Sequence, residues 1–433
     1  MRKVIFLIMT VFLFSGASGL YASEYLTLEN TINLALERNP GVKAQDQDVL
    51  AKDMDKNSQF AQMLPKADLS YGYMRINDVQ SMTLQLPQPM QPITIPMSQK
   101  DNYQFDIEAR QILFAGGALY NSYLISKNDY FATEQERQRF VRNLKLTVID
   151  AYYAVIKARQ QRELAKSNLS SVKSHLDVAN AFFNQGMIPK NDLLESQVKF
   201  AQSEELLISA ENAVKISEAN LNILLQRNLL EDVNIDSEIP LAGMDITFEQ
   251  SLSTALESRQ EIKIAKLQLD NSSKGIDVAR SAFMPSVAAT YTYERTGEDP
   301  DTNDYDTWMA GLGLTWNLFS GGSSYYNYNK AKYMNYKAGY LMESMKNLVT
   351  LEVKNSYLNI QEATARLQVA EKSIAQAEEL ARIQRDRYNL QVATTTDVLD
   401  AQTMLVQAKN NYLTARADHA RAIAALKASM GTL

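Results

Sequence analysis

Two short stretches in each half of the chain alternate strictly between apolar and polar residues. In the first, Leu69, Tyr71 and Tyr73 fall on one side and Asp68, Ser70 and Gly72 on the other. In the second, Tyr103, Phe105, Ile107, Ala109 and Leu113 oppose Gln104, Asp106, Glu108 and Arg110. The later half repeats the pattern, with Val287, Ala289, Tyr291 and Tyr293 on one side of a stretch. It closes with Trp308, Ala310, Leu312, Leu314, Trp316 and Leu318 against Met309, Gly311, Gly313, Thr315 and Asn317. These patterns predict strands over about 67–76, 103–113, 286–295 and 308–318. Period two over about ten residues, with aromatic residues near the ends of the apolar side, suits a strand between lipid and a wet lumen.

Between the strand pairs the period is helical. Short helices are predicted at about 28–38 and, longer, at 41–63, the latter stopping before Pro65; the second half places one at about 258–283. After each Gly-Gly the helical pattern runs on without proline, over about 118–183 and 323–388, and returns over about 190–228 and 396–430. A helix of that greater length spans roughly 100 Å. Ala363, Leu367, Ala370, Ile374, Ala377 and Ala381 follow the 4-3-4-3-4 spacing of a coiled-coil seam. Val398, Ala401, Leu405, Ala408, Tyr412, Ala415, His419, Ala422 and Leu426 continue it on the returning helix. In the first half, Leu193, Ser196, Phe200, Ser203, Leu207, Ala210, Val214, Ser217 and Leu221 keep the same register, so His419 reads as a seam residue and not a ligand.

The halves are copies of one plan. TLENTINLALERNP (27–40) aligns with TFEQSLSTALESRQ (247–260), LFAGG (113–117) with LFSGG (318–322), and DLLESQ (192–197) with DVLDAQ (397–402). The copies differ in length in one place, between Arg75 and Leu113. The organisation is therefore a first repeat at 23–228, a polar linker at 229–245 and a second repeat at 246–433. Residues 1–22 read as a cleaved signal peptide: Arg2 and Lys3 precede an apolar run from Val4 to Phe14, too short for the roughly 20 residues of a spanning helix.

Composition narrows the chemistry. Zero Cys and two His among 433 residues leave no thiolate, no disulfide framework and little for a metal site or a histidine base. A net charge of −6 argues against nucleic acid as a partner. No acid/base or nucleophile constellation points to an enzyme, and no cofactor is expected. The Gly-Gly pairs Gly116–Gly117 and Gly321–Gly322 lack a following Gly-Lys-Ser/Thr, so they read as strand-to-helix turns and not as phosphate loops.

Four membrane strands cannot close a barrel, because open edges in lipid cost several kcal/mol per unpaired group. The chain must share its barrel with further copies. The fold class is mainly α with membrane β, four strands and long coiled-coil helices per protomer. A periplasmic coiled-coil scaffold without a channel is the competing reading, and the aromatic-edged strands count against it.

With the tandem halves, the LFAGG/LFSGG turns and the DLLESQ/DVLDAQ segments in view, the whole mature chain resembles the TolC-type outer membrane efflux proteins. The resemblance implies a homotrimer whose twelve-stranded barrel in outer-membrane lipid continues as a periplasmic α-helical barrel. It also implies an exit duct for small molecules or polypeptides, a periplasmic adaptor protein, and an inner-membrane pump of RND or ABC type.

The entrance then falls at the two helix hairpins, FFNQGMIPKND (182–192) and YNLQVATTTD (388–397). Asp397 and Asp400, three apart on one helix face, would line it in three copies, with Asp192 and Glu195 at the equivalent places in the first repeat. A plain alternative is helix-start chemistry, with Thr394–Thr396 capping and acids in the first turn. Tyr388 matches a family tyrosine that holds the entrance closed; the family's latch arginine is replaced by Ala393. Adaptor contact is expected at Gly186, Met187 and Ile188 and, less firmly, at Gln391 and Val392, where the family glycine is missing. The Asn77–Asn102 and Thr296–Thr307 loops are expected to face outward.

Overall fold

The computed structural model describes residues 25–241, 243–301 and 305–433; the signal segment and residues 302–304 of the second outer loop lie outside them. The first repeat opens with β1 (Tyr25–Leu26), α1 (Leu28–Arg38) and α2 (Pro40–Ala61). Next come β2 (Lys66–Arg75), β3 (Ser81–Leu84), β4 (Ile93–Pro96) and β5 (Asp101–Ala115). Two long helices follow, α3 (Ala118–Asn184) and α4 (Lys190–Leu224), then β6 (Asn234–Ile235). The second repeat runs α5 (Phe248–Ser258), α6 (Gln260–Ser281), β7 (Ser286–Gly297), β8 (Tyr305–Thr315), α7 (Ser323–Asn389) and α8 (Thr395–Met430). Among the described residues, no helix is long and apolar enough to cross a membrane.

Local chemistry sets the helix boundaries. Asn39 caps α2 through its Oδ1, which accepts from Gly41 N–H at 2.8 Å, and Pro40 supplies a first helical residue that needs no donor. Thr247 and Gln250 form a reciprocal capping box on α5. α4 stops short of the expected 228, because Gln226 turns to φ 53° and the Arg227 N–H folds back 2.9 Å onto the Asn222 carbonyl.

Two compact units emerge, each drawing on both repeats. The strand-bearing unit takes its described residues from 39–146, 243–362 and 422–433. Its sheet is antiparallel in the order β2-β5-β7-β8, leaving β2 and β8 as outer strands. Leu69, Ile107, Tyr293 and Trp308 stand opposite one another across all four strands, and the next row is Ser70, Asp106, Glu294 and Thr307. The apolar and polar sides thus continue from strand to strand. One departure from strict alternation falls in β5: the register shifts between Ile112 and Phe114, so Phe114 and not Leu113 stands opposite Val287. A bulge there keeps an apolar residue on the apolar side after Gln111, whose side chain instead donates 2.7 Å to the Met63 carbonyl. The loop expected at 77–102 is itself a hairpin, β3 on β4, with Met82 opposite Ile95 and Leu84 opposite Ile93.

The helical part of this unit packs Ala255, Ile262, Ala265, Met342, Val349 and Val353 into one core and Ile360, Ile423, Leu426 and Met430 into another. Beside them runs a charged network. Arg142 meets Glu261 at 2.7 Å with both side chains nearly buried, while Arg259 reaches Glu261 and Glu352 at 2.8 Å each. Glu261 is held down to a pKa of about 2. Burial pushes it upward, but hydrogen bonds from Arg142 and its own N–H, and the charges of Arg259 and Arg142, outweigh that.

The other unit takes its described residues from 1–38, 147–242 and 363–421. Here β1 lies parallel to β6. Within the polar linker, Val233, Ile235 and Ile239 are buried, and the Ile239 carbonyl accepts from Arg416 at 2.8 Å. The buried Tyr152 hydroxyl lies 2.8 Å from Asp236 Oδ2 and 3.0 Å from the Leu26 carbonyl. Burial, with the Asp236 hydrogen bond, pushes its phenol well above the ordinary range. The seam positions Ala363, Ala370, Ala377 and Ala381 of α7 are buried, as are Val398, Ala401, Ala408, Ala415 and His419 of α8. Alanine there lets backbones approach closely, which is why so little apolar volume makes a packed seam.

Candidate functional site

The two helix hairpins end in the same backbone device. At the end of α3, Gly186 N–H meets the Phe183 carbonyl and Met187 N–H the Phe182 carbonyl, both at 2.9 Å, with Gly186 at φ 71°. At the end of α7, Gln391 N–H meets the Tyr388 carbonyl at 2.8 Å and Val392 N–H the Arg387 carbonyl at 2.9 Å, with Gln391 at φ 62°. Both are left-handed helix ends in which six residues close on the last carbonyls. The glycine missing from the second copy therefore does not change the turn. Gln391 adopts the strained conformation, and its side-chain amide donates to Met187 Sδ at 2.9 Å, joining the two turns. Met187, Gln391 and Val392 are exposed and Ile188 half-buried.

Asp397 works at home in its own helix. Its Oδ2 accepts from the Thr394 N–H and hydroxyl, each at 2.8 Å, while Asp397 N–H meets Thr394 Oγ1 at 3.2 Å. Thr394 is thus the N-cap of α8 and Asp397 its reciprocal partner. Those hydrogen bonds, backbone first, and the nearby Arg387 charge hold the carboxyl below the usual range. Asp400 is exposed and has no side-chain partner among the described residues. In the first hairpin, Asp192 is half-buried beside the Asn191 amide at 2.6 Å. Glu195 accepts from Thr396 Oγ1 at 3.2 Å, a link between α4 and α8 that the sequence does not announce.

Tyr388 is 3% exposed. Its ring lies 4.8 Å from that of His175 and 5.6 Å from that of Phe182, and its hydroxyl accepts from Thr395 Oγ1 at 3.3 Å. Aromatic rings from α3, together with the Thr395 hydroxyl, hold this tyrosine, and the neighbouring Ala393 contributes no charge. At the opposite helix ends, Gly116, Gly117, Gly321 and Gly322 all have φ between 60° and 86°, the left-handed region that joins a strand to a helix at little cost only in glycine.

The sequence matches the family described as Outer membrane efflux protein over residues 31–225 and 251–432. It is 23% identical over 315 residues to outer membrane protein TolC of Vibrio cholerae, covering 71% of this chain and 70% of the relative. It is 24% identical over 417 residues to the alkaline protease secretion protein AprF of Pseudomonas aeruginosa, covering 94% and 85%. The fold is shared with the Campylobacter jejuni CmeC outer membrane channel, with a TM-score of 0.81, 19% identity and coverage of 94% and 85%. With the Neisseria gonorrhoeae MtrE channel in its open state the TM-score is 0.75 at 18% identity, covering 93% and 88%. This chain belongs to the outer membrane efflux protein family. It is an outer membrane protein, an exit channel for efflux or secretion, in a family of channels and not of enzymes.

Proposed function

We propose that three copies of this chain build one duct, and that the helix hairpins form its periplasmic entrance in a Gram-negative-type envelope. The observation that carries this reading is the open sheet. Four antiparallel strands, apolar on one side and polar on the other, end in two outer strands, β2 and β8, that have no further partner strand among the described residues. In lipid such edges must be paired. Three chains give twelve strands and a lumen lined by the polar side; two would give eight, a barrel filled by side chains. Residues 1–22 direct the chain to export and are removed, leaving repeats at 23–228 and 246–433 around the 229–245 connection.

In this reading the hairpins meet a periplasmic adaptor through Met187, Ile188, Gln391 and Val392, and an RND- or ABC-type inner-membrane pump drives transport. The paired repeats and the joined turns support it. Asp400 and Asp397 ring the entrance, with Asp192 and Glu195 behind them. Because Asp397 is committed to its cap, Asp400 is the freer charge. The particle mass of detergent-extracted protein by light scattering tests the assembly: three chains are expected, and a stable monomer would overturn it. In bilayer recordings, Asp400→Asn lowers cation preference more than Asp397→Asn does. Absent effects would remove the carboxylate ring and leave helix capping as the role of these residues, whereas equal losses would keep the ring and overturn the greater freedom of Asp400.

A further inference from the structure

Behind Tyr388 lies a cavity of about 240 Å³ enclosed by α3, α7 and α8 within one compact unit. Its walls are mixed. Val172, Leu399 and the Tyr388 ring supply apolar surface, while Ser170, Ser171 and His175 supply polar groups from α3. Two features stand out against the surrounding seam of alanines. The Nε2 atom of His175 is buried and has no hydrogen-bond partner, although buried polar atoms nearly always have one. Arg385, exposed on α7, lines the same cavity and forms no ion pair among the described residues, whereas its neighbour Arg382 is paired with Glu379 and Asp386. The Arg385 guanidinium, which has no anionic partner, and an unsatisfied imidazole nitrogen therefore line one cavity together with serine hydroxyls and the Gln402 amide, and among these lining groups none carries a negative charge.

We propose that this cavity is a binding site for a small carboxylate, held by Arg385 and His175. The guanidinium takes the carboxylate oxygens in its planar fork, and Nε2–H of the imidazole donates to one of them. The volume admits a molecule of benzoate size and excludes a helix or a folded peptide. The apolar walls accept the rest of such a molecule, as small-ligand sites do. Of the lining groups that carry charge or titrate, only Arg385 and Tyr388 face His175, both from α7; α8 offers Val398, Leu399 and Gln402. Burial and the Arg385 charge hold the His175 imidazole neutral, with a pKa of about 4. A bound carboxylate supplies the missing negative charge and makes protonation easier, so binding strengthens as the solution turns mildly acidic. Because the ligand ties α3 to α7 beside Tyr388, it favours the packed arrangement of the hairpin. That consequence for the entrance rests on the reading of the hairpins given above; the site itself does not.

The chain has only two histidines, so histidine-selective isotope labelling gives one signal for His175 and one for His419. Sodium benzoate is titrated into the full-length protein in detergent, with sodium chloride at equal ionic strength as control. A saturable change at His175 alone is expected, with its titration midpoint raised by about one pH unit or more and the response lost in Arg385→Gln. No change, an equal change at both histidines, or a response unaltered in Arg385→Gln would overturn the site and leave a water-filled cavity. Single-channel conductance with benzoate on the hairpin side then reads the link to the entrance. A fall in the wild type but not in Arg385→Gln supports it, and an unchanged conductance with His175 saturated removes the link while the site stands.

Discussion

Gly116 and Gly321 occupy equivalent turns and share a left-handed backbone, yet their surroundings differ. A Cβ on Gly116 would lie 2.9 Å from Ser281 Cβ and 3.0 Å from Met284 Cβ, whereas one on Gly321 would meet nothing within 4 Å. Gly321→Ala therefore bears backbone strain alone, about 1–2 kcal/mol. Gly116→Ala adds a clash with α6 and the residues after it, and the loss should be clearly larger. Thermal melts of the two variants in the same detergent check the order; equal losses would show that the strand-to-helix turn yields around Gly116.

At the scale of an element, the first turn of α8 depends on one threonine. Thr394 supplies the hydroxyl that meets Asp397 N–H and donates to its carboxylate. Thr394→Ala removes both contacts and should cost about 1 kcal/mol. Hydrogen exchange should rise at residues 394–398 and stay unchanged at the end of α3, which closes on its own carbonyls. The seam that follows was legible from spacing alone, because its small residues recur every 3.5 positions and the helices bury what recurs. The His175–Tyr388 contact was not legible. Residues 213 apart in sequence meet there, and nothing in either neighbourhood marks the pair.

Across the strand-bearing unit, the Arg142–Glu261–Arg259–Glu352 network joins segments from both repeats. Arg142→Ala leaves Glu261 half-paired in a dry site and should destabilise this unit by about 3 kcal/mol, the usual loss when one partner of a buried pair is removed. The pH dependence follows from the direction of the shift. Glu261 titrates near 4.5 in the unfolded chain and near 2 in the folded one, so its contribution is complete above pH 4.5 and lost as the pH falls towards 2. Melting temperature followed between pH 5 and 2 should fall less steeply in Glu261→Gln than in the wild type.

The alternation of Leu69, Tyr71 and Tyr73, the seam of alanines and the doubled plan of the chain are properties of neighbouring residues and their spacing. The sequence by itself therefore determined the strands, the long helices and the two copies, since burial on one face imposes a period that a linear chain displays openly. Other features needed the tertiary structure. The bulge that puts Phe114 opposite Val287 answers to the partner strand, and the burial of Ile239 answers to Arg416. Gln391 takes a glycine's conformation because the helix end demands it, with Met187 there to receive its amide. The tyrosine of the second hairpin is buried because a histidine from the first repeat packs on it. These were decided by which surfaces the fold brings together, and the free energy of those contacts depends on pairs of residues that the local pattern never places side by side.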